Sequence, residues 1–95
     1  MFSKKFLANY KELQEKHADC VTLVRLNDFY FAFYESANKV ADTIKQVILF
    51  NGVDEDSKSV TAISFPHYEL DAYLPKLIRA NIRVAIVDFL TAPPA

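Results

Sequence analysis

Few residues in this chain have types and spacings that could do chemistry. His17, Cys20 and His67 are of metal-ligand type, and their separations match no common ligand set. Cys20 opens an apolar run, the setting of an inert core thiol. Asp28 and Glu35 could be paired carboxylates on geometry alone, but nothing near them in sequence offers a nucleophile or a pocket. No catalytic constellation emerges, and no metal or cofactor is called for. What remains is a patch of aromatic residues. Phe29, Tyr30, Phe31, Phe33 and Tyr34 lie close together, directly after an Asn27-Asp28 turn signal and just beyond Arg25. Aromatic faces stack on nucleobases, which contributes about 1–3 kcal/mol per base, and aromatic wedges enter kinked minor grooves. The rival uses are a packed core, where most Phe reside, and an exposed apolar patch that meets a partner protein or a second copy.

The patch needs elements to position it, and the pattern supplies them in order. Phe6, Leu7, Tyr10 and Leu13 repeat at helical spacing, so residues 2–17 read as a helix with Ser3 as N-cap. Lys4-Lys5 sits at its start, where the helix dipole disfavours cations, so an anionic contact or plain solvation must account for the pair. The run 20–26 reads as a central strand covered on both faces, interrupted near its end by Arg25. Asn27-Asp28 turns the chain, Asn being a residue that tolerates positive φ. Residues 29–33 then form a short antiparallel strand. From Phe33, the spacing of Ala37, Val40, Ala41 and Ile44 is helical. A third strand is expected over 47–50, followed by the hairpin signal Asn51-Gly52 and a polar loop over 53–59. A fourth strand over 60–65 pairs with the third. Leu70, Tyr73, Leu74, Leu77 and Ile78 give a last helical stripe, containing Pro75, which must either start late or bend. Asn81 is a left-handed C-cap, and residues 82–89 form the last strand. The order α, β, β, α, β, β, α, β describes an α/β (α+β) fold: a mixed sheet of five to six strands with three flanking helices.

Composition narrows the function class. The 95 residues are 52% hydrophobic and 24% charged, ordinary for one globular domain. We assign residues 1–92 to that domain and 93–95 to a tail or the start of a linker. A single cysteine excludes an internal disulfide. No apolar run approaches the ~20 residues of a membrane span, and no signal peptide is evident, so a cytoplasmic protein without membrane partners is expected. The net charge of −1 lacks the basic excess of a phosphate-driven nucleic-acid binder. Arg25, Lys4, Lys5, Arg79 and Arg83 are the candidate phosphate contacts, with solvated surface as the rival reading.

The chain resembles the N-terminal mismatch-recognition domain of MutS, MutS domain I. Three collinear stretches carry the resemblance over roughly residues 6–92. Val24-Arg25-Leu26-Asn27-Asp28-Phe29-Tyr30, continued by Phe33-Tyr34 and Ala37, is similar to the family's run of arginine, apolar residue, glycine, Asp, Phe, Tyr and Glu. Ile63-Ser64-Phe65-Pro66, followed by Tyr73, resembles its glycine-phenylalanine-proline turn. Lys76-Leu77-Ile78 and Arg83-Val84-Ala85-Ile86-Val87 resemble its closing helix-to-strand passage. The resemblance implies a mixed α/β fold and a base-stacking role for Phe29. The family's Glu position is Phe31 here, so the hydrogen-bonding half of the reader is missing. The family's other domains include a P-loop ATPase, and no P-loop sequence occurs in this chain. The expectation is a non-catalytic nucleic-acid-binding module. Phe29, Asp28, Tyr30 and Arg25 are its candidate binding residues. Double-stranded DNA and a larger protein or neighbouring domains are its expected partners. The alternative is a protein-interaction or oligomerisation domain, a homodimer included, that kept the fold and lost DNA contact.

Overall fold

The structure, a computed structural model, describes residues 2–89. Five strands form one mixed sheet in the order β3-β4-β2-β1-β5. One helix lies on one face of the sheet and two lie on the other. Helix α1 (Lys4–Lys16) begins at Ser3, whose hydroxyl accepts from the Phe6 N–H at 3.0 Å as an N-cap. Strand β1 (Cys20–Leu26) turns at Asn27, with φ of 56°, into the antiparallel strand β2 (Phe29–Phe33). Helix α2 (Tyr34–Thr43) follows directly. Strand β3 (Phe50–Val53) pairs antiparallel with β4 (Ser59–Pro66), and β4 in turn pairs antiparallel with β2. A 3₁₀ turn (His67–Glu69) leads into α3 (Leu70–Arg79), and Asn81, with φ of 62°, ends that helix as expected. Strand β5 (Arg83–Phe89) runs parallel to β1 along its full length.

Period-two alternation sorts each strand into two cores. Val21 and Leu23 of β1, Tyr30 and Ala32 of β2, and Ile63 and Phe65 of β4 face α2 and α3, meeting Ala37, Val40, Ile44, Tyr73 and Leu77. Val24, Phe33, Val60 and Ala62 face α1, meeting Phe6, Leu7 and Tyr10. The central strand β1 is therefore covered on both faces, as its unbroken apolar run requires.

Two local expectations are corrected. The third strand lies at Phe50–Val53, not 47–50, and Asn51-Gly52 sits inside it rather than in a turn. The reversal is made instead by Asp54, whose Oδ1 accepts from the N–H groups of Asp56 and Lys58 at 2.8 and 3.0 Å. Those bonds hold the Asp54 carboxyl below its usual range. The polar segment after β3 also explains the first of the two misplaced cations of α1. Lys4 forms an ion pair with Asp56, and its N–H donates to Glu55 Oε1 at 2.7 Å, so a distant acidic loop supplies negative charge at the helix start. Pro75 sits within α3 on an exposed face.

Gly52, the chain's one glycine, needs no unusual φ. It is small because Phe2 lies on it: a Cβ there would come within 2.6 Å of Phe2 Cε2. Phe2 cannot step aside easily. Its N–H donates to Val53 O at 2.9 Å, and its ring packs edge-on against Phe33 at 4.9 Å and Phe31 at 6.0 Å. Replacing Gly by Ala within a strand ordinarily stabilises it. Here Gly52→Ala is expected to destabilise by about 1–3 kcal/mol through overpacking. Urea denaturation gives the sign directly, and most of the loss should vanish in a Phe2→Ala background.

Candidate nucleic-acid interface

The β1–β2 hairpin places the aromatic patch. Register pairs Leu26 with Phe29 and Val24 with Phe31 across the hairpin, and pairs Phe29 with Pro66 and Phe31 with Ser64 on the other side. Residues directly opposite in an antiparallel ladder share a face. Leu26, Phe29, Phe31, Ser64 and Pro66 therefore form one continuous surface on the α1 side of the sheet. Helix α1 and Phe2 cover the sheet as far as Phe31, which packs at 6.2 Å on Phe33 with an interplanar angle of 5°. Beyond Phe31 the sheet end is open. Leu26, Phe31, Ser64 and Pro66 are half-buried, and Phe29 is 45% exposed. Among the described residues, no ring pairs with that of Phe29.

The hairpin tip is tied down on both sides. Arg25 Nε donates to Asn27 O at 3.0 Å, and the His67 N–H donates to Asp28 O at 2.8 Å. Tyr30 and Ala32, the neighbours of Phe29 and Phe31 in the chain, are buried on the opposite face, and the Tyr30 ring lies 5.7 Å from that of Phe65. Rotating Phe29 inward would expose both, so the pleat fixes which aromatic points outward.

The candidate residues are thus brought to one end of the sheet but in different settings. Phe29 is on the open surface, Asp28 is exposed in the turn, Arg25 is half-buried at the rim, and Tyr30 is in the core. Of the candidate cations, Arg25 is the one near the tip. Lys4, at the start of α1, is held by Asp56 and Glu55 in the β3–β4 connection, which adjoins Ser59 at the opposite end of β4 from Pro66 and Phe29. Arg83 pairs in register with Cys20, six residues from Leu26, which is about 20 Å along the strand, and its guanidinium meets Asp19 at 3.2 Å. Arg79 ends α3 near that far end. Leu26, Ser64 and Pro66 are new members of the surface. The β2–β4 pairing that brings Ser64 and Pro66 there is long-range, and no local pattern announces it.

No group of three or more His, Cys, Asp or Glu side chains among the described residues could hold a metal ion. Among the described residues, no helix is long and apolar enough to cross a membrane. Cys20 is half-buried, and its thiol is pushed up by burial and by the neighbouring Asp19, away from reactive thiolate.

The architecture is that of a small mixed α/β domain that presents the exposed Phe29 ring at a braced hairpin tip. The chain belongs to the MutS domain I family, whose sequence model matches residues 4–94. It is 41% identical over 87 residues to the DNA mismatch repair protein MutS of Porphyromonas gingivalis, a match that takes in 92% of this chain and 10% of that protein. The corresponding MutS of Phocaeicola vulgatus is 42% identical over the same length and shares. That of Salinibacter ruber is 35% identical over 82 residues, 86% of this chain and 9% of that protein. The chain therefore spans about a tenth of the length of these relatives.

Proposed function

We propose that residues 1–92 form a non-catalytic DNA-binding module, in which Phe29 stacks on a base of double-stranded DNA and acts beside other domains or a larger protein. The single observation that carries this is the Phe29 ring: 45% exposed, unpaired with any other ring among the described residues, and fixed outward by its buried neighbours Tyr30 and Ala32. An exposed phenyl ring costs solubility unless something covers it, and a base has an apolar face of matching shape. Arg25 and Asp28 frame the tip, and Tyr30 supports the hairpin from beneath. The relatives' name, DNA mismatch repair protein MutS, supports the same substrate. With Phe31 in place of a carboxylate, the module stacks without a polar reader. In the relatives, nine-tenths of the chain lies outside the matched part, which is where any ATP-driven step belongs.

The test is a fluorescence-anisotropy titration of the chain against matched, mismatched and single-stranded oligonucleotides at low and moderate salt. Phe29→Ala is expected to weaken binding by about 5- to 150-fold, the loss of one stacking contact of 1–3 kcal/mol. Because the ring is exposed, its unfolding midpoint should be nearly unchanged. Absence of binding to every form at low salt would sink the proposal.

One observation favours a second reading. Ile78 and Ile86, 60% and 45% exposed, flank a groove with Leu74 and Ile82 along the β5 edge of the sheet. A protein-interaction or oligomerisation domain would use such a surface. A dimer by light scattering, with no DNA binding, is its signature.

A further inference from the structure

We infer that the β5 edge of the sheet is a dimerisation surface whose occupant is a second copy of this chain, added antiparallel about a two-fold axis perpendicular to the sheet. This deepens the second reading above and rests on its groove, while the Phe29 surface, at the strand ends, takes no part. Edge strands ordinarily avoid pairing with other chains by being short, bulged, charged or covered. Strand β3, at one edge, is four residues long, and the Phe2–Asp54 bridge sits at its end. Strand β5, at the other edge, is seven residues long and keeps an unbroken register with β1. No further strand lies beside it among the described residues. Its Arg83 stands at the first position and is engaged by Asp19. Val84 and Ile86 stand in register with Val21 and Leu23, on the face that α3 covers. Leu23 is fully buried and Ile86 is exposed, so α3 does not reach over the edge. Leu74, Ile78 and Ile82 complete an open, mainly apolar groove there.

Shape and charge both commit this groove to a second copy. A two-fold axis perpendicular to the sheet keeps the α3 face of both copies on one side, so groove meets groove and each α3 lies antiparallel beside the other. A register centred on Ala85 sets Val84 opposite Ile86 of the second copy, carbon on carbon, in both directions. The charges on α3 then complement one another. Asp71 is exposed in its first turn, and Lys76 and Arg79 are exposed in its last. Antiparallel helices bring the Asp71 end of one copy to the Arg79 end of the other, at both ends of the interface, with their dipoles opposed. A net charge of −1 per chain leaves little repulsion between the copies.

Light scattering and sedimentation of the 95-residue chain, over about 10–500 μM, are expected to show a closed dimer and nothing larger. Ile86→Lys and, separately, Ile78→Lys place a charge in the groove and are each expected to weaken the dimer by more than about tenfold. Both side chains are exposed in the single chain, so its unfolding midpoint at low concentration should stay near that of wild type. Asp71→Arg alone opposes like charges at both ends and is expected to weaken the dimer by about 3- to 30-fold. Combining it with Arg79→Asp is expected to restore the dimer. A monomer throughout the range would overturn the inference, while the DNA titration judges the Phe29 reading separately. A dimer indifferent to both lysine variants, or one lost in Phe29→Ala, would show that the interface lies elsewhere. Failure of the double charge swap to restore the dimer would overturn the antiparallel arrangement.

Discussion

Phe33→Ala is expected to cost about 3–5 kcal/mol, the largest stability loss of any single substitution on this face of the sheet. Phe33 is fully buried. Its ring meets those of Phe2 at 4.9 Å, Tyr10 at 5.0 Å, Phe6 at 5.7 Å, Phe31 at 6.2 Å and Tyr34 at 6.5 Å. Several of these contacts are edge-to-face, an arrangement that adds about 0.5–1.5 kcal/mol per pair beyond area burial. A cavity at their centre cannot collapse, because the surrounding rings are held by α1, by the β2–β4 register and by the N-terminal bridge of Phe2 to Asp54. A domain of this size has roughly 5–14 kcal/mol of stability in total, so the variant would sit near the edge of folding. Urea denaturation followed by circular dichroism should show the midpoint falling by about 2 M. A loss below about 2 kcal/mol would mean that the aromatic cluster is more pliable than its geometry implies. Phe33→Leu, which keeps most of the volume, is expected to cost roughly half as much.

The same cluster links stability to the candidate site. Phe33 backs Phe31, Phe31 lies one step along the strand face from Phe29, and Phe2 covers both inner rings. Destabilising the root of β2 therefore loosens the surface at its tip. Tyr34, where β2 becomes α2, adds a constraint of its own. It takes φ of 54°, a left-handed conformation that costs a side-chain-bearing residue of order 1 kcal/mol, and its ring lies 4.8 Å beneath Lys11 Nζ.

How far the sequence discloses this molecule depends on how local each feature is. The helices carry their own signals, so the Ser3 cap, the Ala37–Val40–Ile44 stripe and the Asn81 stop are all found where the spacing puts them. The β1–β2 hairpin is local too, set by Asn27. The third strand was legible only in part, because Asn51-Gly52 has the composition of a turn and yet is held in a strand by pairing with Thr61 and Val60. The reason for the glycine is Phe2, fifty residues away, and no window of sequence shows that contact. The surface divides in the same way. Phe29 stands out from its place after the turn. That Phe29 faces outward, and that Ser64 and Pro66 lie beside it, follows from the β2–β4 register. The sequence left open whether Phe31 is exposed with Phe29. Its half-buried state depends on Phe2 folding back over it.

Tyr10→Phe removes one oxygen atom and is expected to cost about 2–4 kcal/mol, far more than its volume suggests. The reason is the point where β2 parts from β1. Their pairing runs only from Leu26–Phe29 to Val24–Phe31, so the groups on the facing edges beyond it need other partners. Tyr10 Oη provides them, donating to Thr22 O at 2.6 Å and accepting from the Phe33 N–H at 3.1 Å. Ser36 Oγ takes the Thr22 N–H at 3.1 Å from the other side. Tyr10, Thr22, Phe33 and Ser36 are all buried. Without the phenol oxygen, a buried N–H and a buried carbonyl are orphaned together, each costing about 1–3 kcal/mol. The Thr22 hydroxyl beside it is itself without a hydrogen-bond partner among the described residues. Burial pushes the Tyr10 phenol above its ordinary value of 10.0, because the charged form is disfavoured inside. The folded state thus holds this proton more tightly than the unfolded chain. The stability it gives is complete below pH 10 and is lost as alkali ionises the phenol. Denaturation across neutral to alkaline pH separates the two effects. Tyr10→Phe should lower stability throughout the neutral range and show a shallower alkaline decline than wild type. Tyr68→Phe, at a 72% exposed ring, should change stability by no more than about 0.5 kcal/mol. Equal costs for the two substitutions would show that the buried bridge is not what holds β2, and the hairpin it roots, in place.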